Sequence, residues 1–146
     1  KEAIFQAILR ERHPYHLILQ RLQALPSQSL EEFIRQAAYQ FVEVLRQEPA
    51  FLNLMLIEIV EFNGVHLPLL FEEIFPSMHS LFERVVQQSH SVRPIPVLIL
   101  LRSFIGLFFS FYVTERLLAS QMDSLMHQNA LEEFIQIYLH GILKEA

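Results

Sequence analysis

Apolar residues recur along this chain at the three- and four-residue spacing of helices, with no run of the alternating spacing that marks strands. Ile4, Phe5, Ile8 and Leu9 open the pattern between Lys1 and Arg12, and Leu17, Ile18, Leu22 and Leu25 resume it after Pro14, whose ring interrupts a helix. Leu30, Phe33, Ile34, Ala37, Ala38, Phe41 and Leu45 carry a further stripe up to Gln47. It is headed by Ser29-Leu30-Glu31-Glu32, a capping box in which the serine and Glu32 each satisfy a helix-start amide. Pro49 suits the first turn of the next helix, which runs through Phe62 and stops at Asn63-Gly64. Pro68 starts another, from Leu67 to about Gln88, with a kink expected at Pro76. Ser89 to Arg93 reads as polar loop. Pro94 and Pro96 introduce a long helix ending near Ala119 or Ser120. A second cap, Asn129-Ala130-Leu131-Glu132, marks the start of the last helix, whose stripe is Leu131, Phe134, Ile135, Tyr138, Leu139 and Ile142. The segment LEEFI occurs at Leu30–Ile34 and at Leu131–Ile135, one helix-start solution used twice. Six or seven helices and no strand are expected, as an all-α orthogonal bundle.

One segment departs from amphipathic patterning. Val97 to Glu115 is apolar nearly all round, with Arg102 at its middle, and such a helix needs cover on every side. Its length invites a bilayer, but Arg102 would sit near the membrane centre at a cost of about 2.5–3.5 kcal/mol. Pro94 and Pro96 crowd one end, and there is no second candidate span. The expectation is no membrane, and a central helix buried twice: once in its own core and once in an interface.

The 146 residues suit one domain with a sizeable core. Hydrophobic residues are 52% of the chain and charged residues 18%, so some apolar surface is expected to go into a partner or a ligand cavity. A net charge of −5 without a basic run argues against nucleic-acid binding by this segment alone. The absence of cysteine removes disulfides, thiolate metal sites and thiol nucleophiles, which suits a reducing cytoplasm.

The seven histidines have little metal-ligand spacing. His13 and His16 flank Pro14, no Glu-x-x-His or H-E-x-x-H motif is present, and His79 with Glu83 is a weak pair. No nucleophile–base pair, phosphate loop or paired-carboxylate cleft is evident, so neither catalysis nor a cofactor is expected. Glu58 shares a helix face with Phe51, Met55 and Phe62: it is either buried with a partner or snorkelling from the stripe's edge. Arg102, on a face with Leu98, Ile105, Phe109 and Tyr112, could pair with Glu58 or Glu61, or bind an acidic ligand group. The aromatic set Phe62, Phe71, Phe75, Phe82, Phe104, Phe108, Phe109 and Tyr112 reads singly as core and collectively as a pocket wall, with Met55 and Met78 as adaptable partners.

These residues resemble the tetracycline-repressor (TetR) family of transcription regulators. Lys1-Glu2-Ala3-Ile4-Phe5 is similar to the end of the F-x-S-K-E-x-L-F motif that closes that family's DNA-binding domain. Leu54-x-x-x-Glu58-x-x-x-Phe62 resembles the L-x-x-x-E-x-x-x-F pattern of a regulatory-domain subgroup, and Arg102-x-x-x-Gly106 the arginine and glycine of its long eighth helix. Leu131–Leu143 is similar to its final helix. The resemblance implies that residues 1–146 are a cytoplasmic ligand-binding and dimerisation domain, residues 1–12 being the helix that would link to a DNA-binding domain. On that reading a small, largely apolar effector is expected in the pocket that the residues themselves suggest, held by Met55, Glu58, Phe62, Met78, Phe82, Arg102, Phe104, Phe108 and Tyr112. The resemblance also implies a homodimer whose last two helices make a four-helix interface through Phe111, Leu118, Leu131, Phe134, Ile135, Tyr138, Leu139 and Ile142. The alternatives are a carrier of hydrophobic molecules and a dimerisation module with no ligand.

Overall fold

The computed structural model describes residues 1–26, 29–121 and 124–145. Among these the chain forms seven α-helices and no strand: α1 Glu2–Arg12, α2 Tyr15–Gln23, α3 Leu30–Gln47, α4 Phe51–Phe62, α5 Leu67–Gln87, α6 Val97–Leu118 and α7 Ser124–Ile142. The punctuation follows the residues that the backbone demands. Pro14 separates α1 from α2, and the N–H of His13 closes α1 on the Leu9 carbonyl. Asn63, at φ 53°, ends α4 in the left-handed conformation and Gly64 follows at φ 73°, where an L side chain is strained.

Several expected boundaries are corrected. The Ser29 hydroxyl does accept the Glu32 N–H, at 3.2 Å, but the Glu32 carboxylate turns outward to the Gln36 amide instead of completing the capping box. Pro49 precedes α4 and lies outside its first turn. Helix α5, by contrast, runs from Leu67 to Gln87 with Pro76 inside it, as its expected span from Leu67 to about Gln88 required. Asn129 is inside α7: asparagine costs a helix interior only a few tenths of a kcal/mol more than its neighbours, so a cap-like pattern alone does not start a helix.

The central helix is α3, not α6. It packs against α2, α5, α6 and α7, and Ala37, Ala38, Val42 and Val44 are wholly buried. Small residues at its middle let several neighbours approach at once. Helix α6 buries only one face, through Leu100, Leu101, Phe104, Phe108, Phe111 and Tyr112. Its other face keeps Leu98, Ile99, Arg102 and Leu117 exposed. Among the described residues it is the one helix long and apolar enough to cross a membrane.

Helix α7 completes the bundle against α3 and α6. Phe134 meets Phe111 edge-on, and the buried Tyr138 hydroxyl donates to the Leu100 carbonyl at 2.7 Å. Burial raises the Tyr138 phenol well above its ordinary pKa. Arg35 of α3 pairs with Glu132 of α7, and Arg46 of α3 grips Glu115 of α6 through two guanidinium nitrogens. The Val92 and Leu143 backbones form an isolated bridge that ties the loop before α6 to the end of α7.

Helix α1 stands apart from this core. With Leu9 as its buried residue it rests on a second, smaller apolar cluster with Tyr15 and Leu70, against Leu54, Met55, Leu67 and Ile74. Met55 and Ile74 also border the main core, so the two clusters meet at those side chains.

Candidate functional site: an apolar cavity at the seam

A cavity of ≈ 660 Å³ lies where the two clusters meet, within the usual range of small-molecule sites. Five helices and the α1–α2 and α4–α5 junctions contribute to its wall. Ile18 comes from α2, Phe41 and Leu45 from α3, and Phe51 and Met55 from α4. Phe71, Ile74, Phe75 and Met78 come from α5, and Leu101, Ile105 and Phe109 from α6. No lysine, arginine, aspartate or glutamate is among the lining residues. The lining is almost wholly hydrocarbon, with His13 and Tyr15 its only residues bearing ionisable side chains.

His13 owes its place to Pro14. The proline ends α1, turns the chain, and leaves His13 half-buried against Phe51, with which its ring makes an edge-on contact at 4.9 Å. Its Nδ1 accepts the Tyr15 N–H at 3.3 Å. Burial, helped by the neighbouring His16, lowers its pKa from 6.5 to about 4. The imidazole is therefore neutral at neutral pH, and with Nδ1 as acceptor its proton is on Nε2. The Tyr15 hydroxyl donates to Glu73 at 2.8 Å, and Glu73 also pairs with Arg10 at 2.6 Å, so α1, α2 and α5 are tied together beside the cavity. Burial and the carboxylate push the Tyr15 phenol up.

The structure brings together only some of the anticipated pocket residues. Met55 and Met78 line the cavity, as do Phe71, Phe75 and Phe109 of the wider aromatic set. Phe82, Phe104 and Phe108 do not: Phe82 and Phe104 meet edge-on in the solid core, with Phe108 beside them. Tyr112 is buried next to Phe109 without reaching the wall. Arg102 faces outward, so neither a buried ion pair with Glu58 or Glu61 nor a role as a pocket cation is formed. A 3.6-residue period assigns residues to faces but cannot say which face meets a void and which meets a neighbouring helix.

Glu58 has a different partner from the one anticipated. It is completely buried, and both carboxylate oxygens go to His66: Oε1 accepts the backbone N–H at 2.7 Å and Oε2 pairs with ring Nδ1 at 2.8 Å. The Glu58 carbonyl accepts the Gly64 N–H at 3.0 Å, so one residue closes the α4–α5 turn twice. Phe62 stacks on Phe5 of α1 at 4.6 Å and meets the His66 ring edge-on. A carboxylate–imidazole pair occurs in hydrolytic sites, but here His66 Nε2 lies 3.5 Å from Glu2 of α1, where a nucleophile would have to stand. Leu-x-x-x-Glu-x-x-x-Phe thus seats α1 on the α4–α5 turn.

The anticipated interface stripe is mostly spent inside the chain. Phe111, Leu131, Ile135, Tyr138, Leu139 and Ile142 are buried against α3 and α6, and Phe134 is half-buried on Phe111, because the apolar side of α7 covers its own bundle first. Leu118 alone of that set is exposed. The outer surface is different: Ile99, Ser103, Gly106, Ser110 and Leu117 line one exposed side of α6, and Ile137 and Gly141 lie on the exposed side of α7. A Cβ at Gly106 or Gly141 would meet nothing within 4 Å.

Among the described residues no group of three or more histidine, aspartate or glutamate side chains is placed to hold a metal. No protein-family model matches the sequence, and neither does any curated protein.

Proposed function

We propose that this chain is the effector-binding and homodimerisation domain of a TetR-like transcriptional regulator. The observation that carries the reading is the apolar cavity at the seam between the main core and the cluster on which α1 rests. A ligand filling it touches Met55 and Ile74, which belong to both, and so has different contacts when α1 is seated and when it is displaced. Such differential contact is what a ligand needs to shift a conformational equilibrium. Helix α1, the segment similar to the linking helix of that family, carries the difference to an attached DNA-binding domain. The outer sides of α6 and α7, with small residues between exposed Ile99, Leu117 and Ile137, offer the close helix approach of a four-helix dimer contact.

Prodan, a neutral acylnaphthalene fluorophore, tests the cavity. Wild type is expected to bind it with blue-shifted emission, and Ile105→Trp, which fills the cavity, to weaken binding about tenfold or more, or about 1.4 kcal/mol. Undiminished binding by a folded Ile105→Trp variant, or none by wild type, overturns the reading. A carrier of hydrophobic molecules would share the cavity, and is distinguished by the absence of any change in α1 on binding, read by amide exchange.

A further inference from the structure

We propose that the cavity selects uncharged lipophiles carrying one hydrogen-bond acceptor, such as a ketone or ester carbonyl, and that His13 is the residue that reads it. The inference rests on the cavity's being a ligand site and goes beyond it to the ligand's chemistry. Three observations carry it. The lining residues include no cationic or anionic side chain, so a ligand charge placed inside would be desolvated without an ion partner. Tyr15 has committed its hydroxyl to Glu73. His13 alone among the lining residues keeps a side-chain donor in hand: Nδ1 is engaged with the Tyr15 N–H, and Nε2 has no hydrogen-bond partner among the described residues. A neutral imidazole of that tautomer donates one hydrogen bond and offers no charge.

The position of the donor matters as much as its chemistry. His13 caps the C-terminus of α1 and is the residue before Pro14, so an acceptor bound to Nε2–H is attached to the end of the helix whose seating the ligand must sense. An alkane fills the seam, whereas a carbonyl compound also holds its hinge. Apolar bulk is then read by the phenylalanines and methionines, and polarity by one histidine, the usual division of labour in a mostly apolar site.

The test compares prodan with its propyl analogue, in which CH2 replaces the carbonyl, and with the corresponding naphthoate, in which a carboxylate does. Binding of each is followed by fluorescence to wild type, His13→Phe and His13→Gln. One net hydrogen bond corresponds to about fivefold in affinity. His13→Phe is expected to shift the ketone-to-propyl affinity ratio about fivefold against the ketone, and His13→Gln, which restores a donor, to recover part of that loss. The ratio cancels any general weakening of the site by the substitution. The naphthoate is expected to bind at least about tenfold more weakly than prodan to wild type. A ratio unchanged in His13→Phe, or a naphthoate bound as tightly as the ketone, overturns this inference and leaves the ligand-site reading intact. Failure of all three probes to bind wild type overturns both.

Discussion

Replacing Glu58 with alanine should destabilise the domain more than almost any other single truncation of a polar side chain. The change leaves the buried His66 N–H and imidazole Nδ1 without their carboxylate. Hydrogen bonds to a carboxylate are worth about 1.5–3 kcal/mol each, and two are lost together. A loss of about 4 kcal/mol is therefore expected, a large share of the roughly 5–15 kcal/mol that holds a domain together. At about 2–4 °C per kcal/mol for a chain of this size, the melting temperature falls by roughly 10 °C, and with a urea m-value of about 2 kcal/mol/M the midpoint moves by about 2 M. Glu58→Gln keeps an acceptor for the N–H and should lose about half as much. Glu58→Leu combined with His66→Phe removes both polar partners and should cost less than Glu58→Ala alone, because no unpaired buried group remains. Urea unfolding followed by circular dichroism measures all three. A Glu58→Ala loss below about 1 kcal/mol, or a glutamine variant as damaged as the alanine one, would refute the claim that this pair locks the α4–α5 turn.

Three further outcomes follow from the same geometry. Tyr138→Phe removes the donor to the Leu100 carbonyl, which also accepts from the Ser103 hydroxyl at 3.0 Å, so the loss should stay near 1 kcal/mol; a loss above about 3 kcal/mol in urea unfolding would count against it. His13 binds a proton below pH 6.5 when unfolded but only near pH 4 when folded, so its contribution to stability is complete above 6.5 and is lost as pH falls towards 4. Across that window the wild-type stability should fall more steeply than that of His13→Gln, by up to about 1.4 kcal/mol per pH unit, and equal slopes in parallel urea titrations would refute the assignment. Gly106→Arg and Ile137→Glu place charge on the outer sides of α6 and α7 without entering the core. Each should turn the expected dimer into a folded monomer in sedimentation velocity at micromolar concentration, and a dimer that persists in both moves the interface elsewhere.

Periodicity and punctuation by themselves determined much of this protein. Pro14, the Ser29 cap, Asn63-Gly64 and Pro94–Pro96 act within a few residues of where they stand, through backbone geometry that does not depend on the rest of the chain, and the helices they delimit are the ones that form. Asn129 misled because a single capping residue is tolerated inside a helix when the flanking chain stays helical. The apolar stripes of α3, α6 and α7 likewise announced burial. What they were buried against was decided by tertiary structure alone. Ala37 and Ala38 make α3 the hub by letting neighbours close in, and that leaves one side of α6, Arg102 included, facing outward. Glu58 found His66, eight residues on, only because the left-handed turn at Asn63 folds the chain back over it. His13 is a polar residue beside a proline in the sequence and becomes a cavity wall in the fold, for α1, α2 and α4 meet there. A cavity is the space that several packed elements fail to fill, and no stripe on any one helix encodes it.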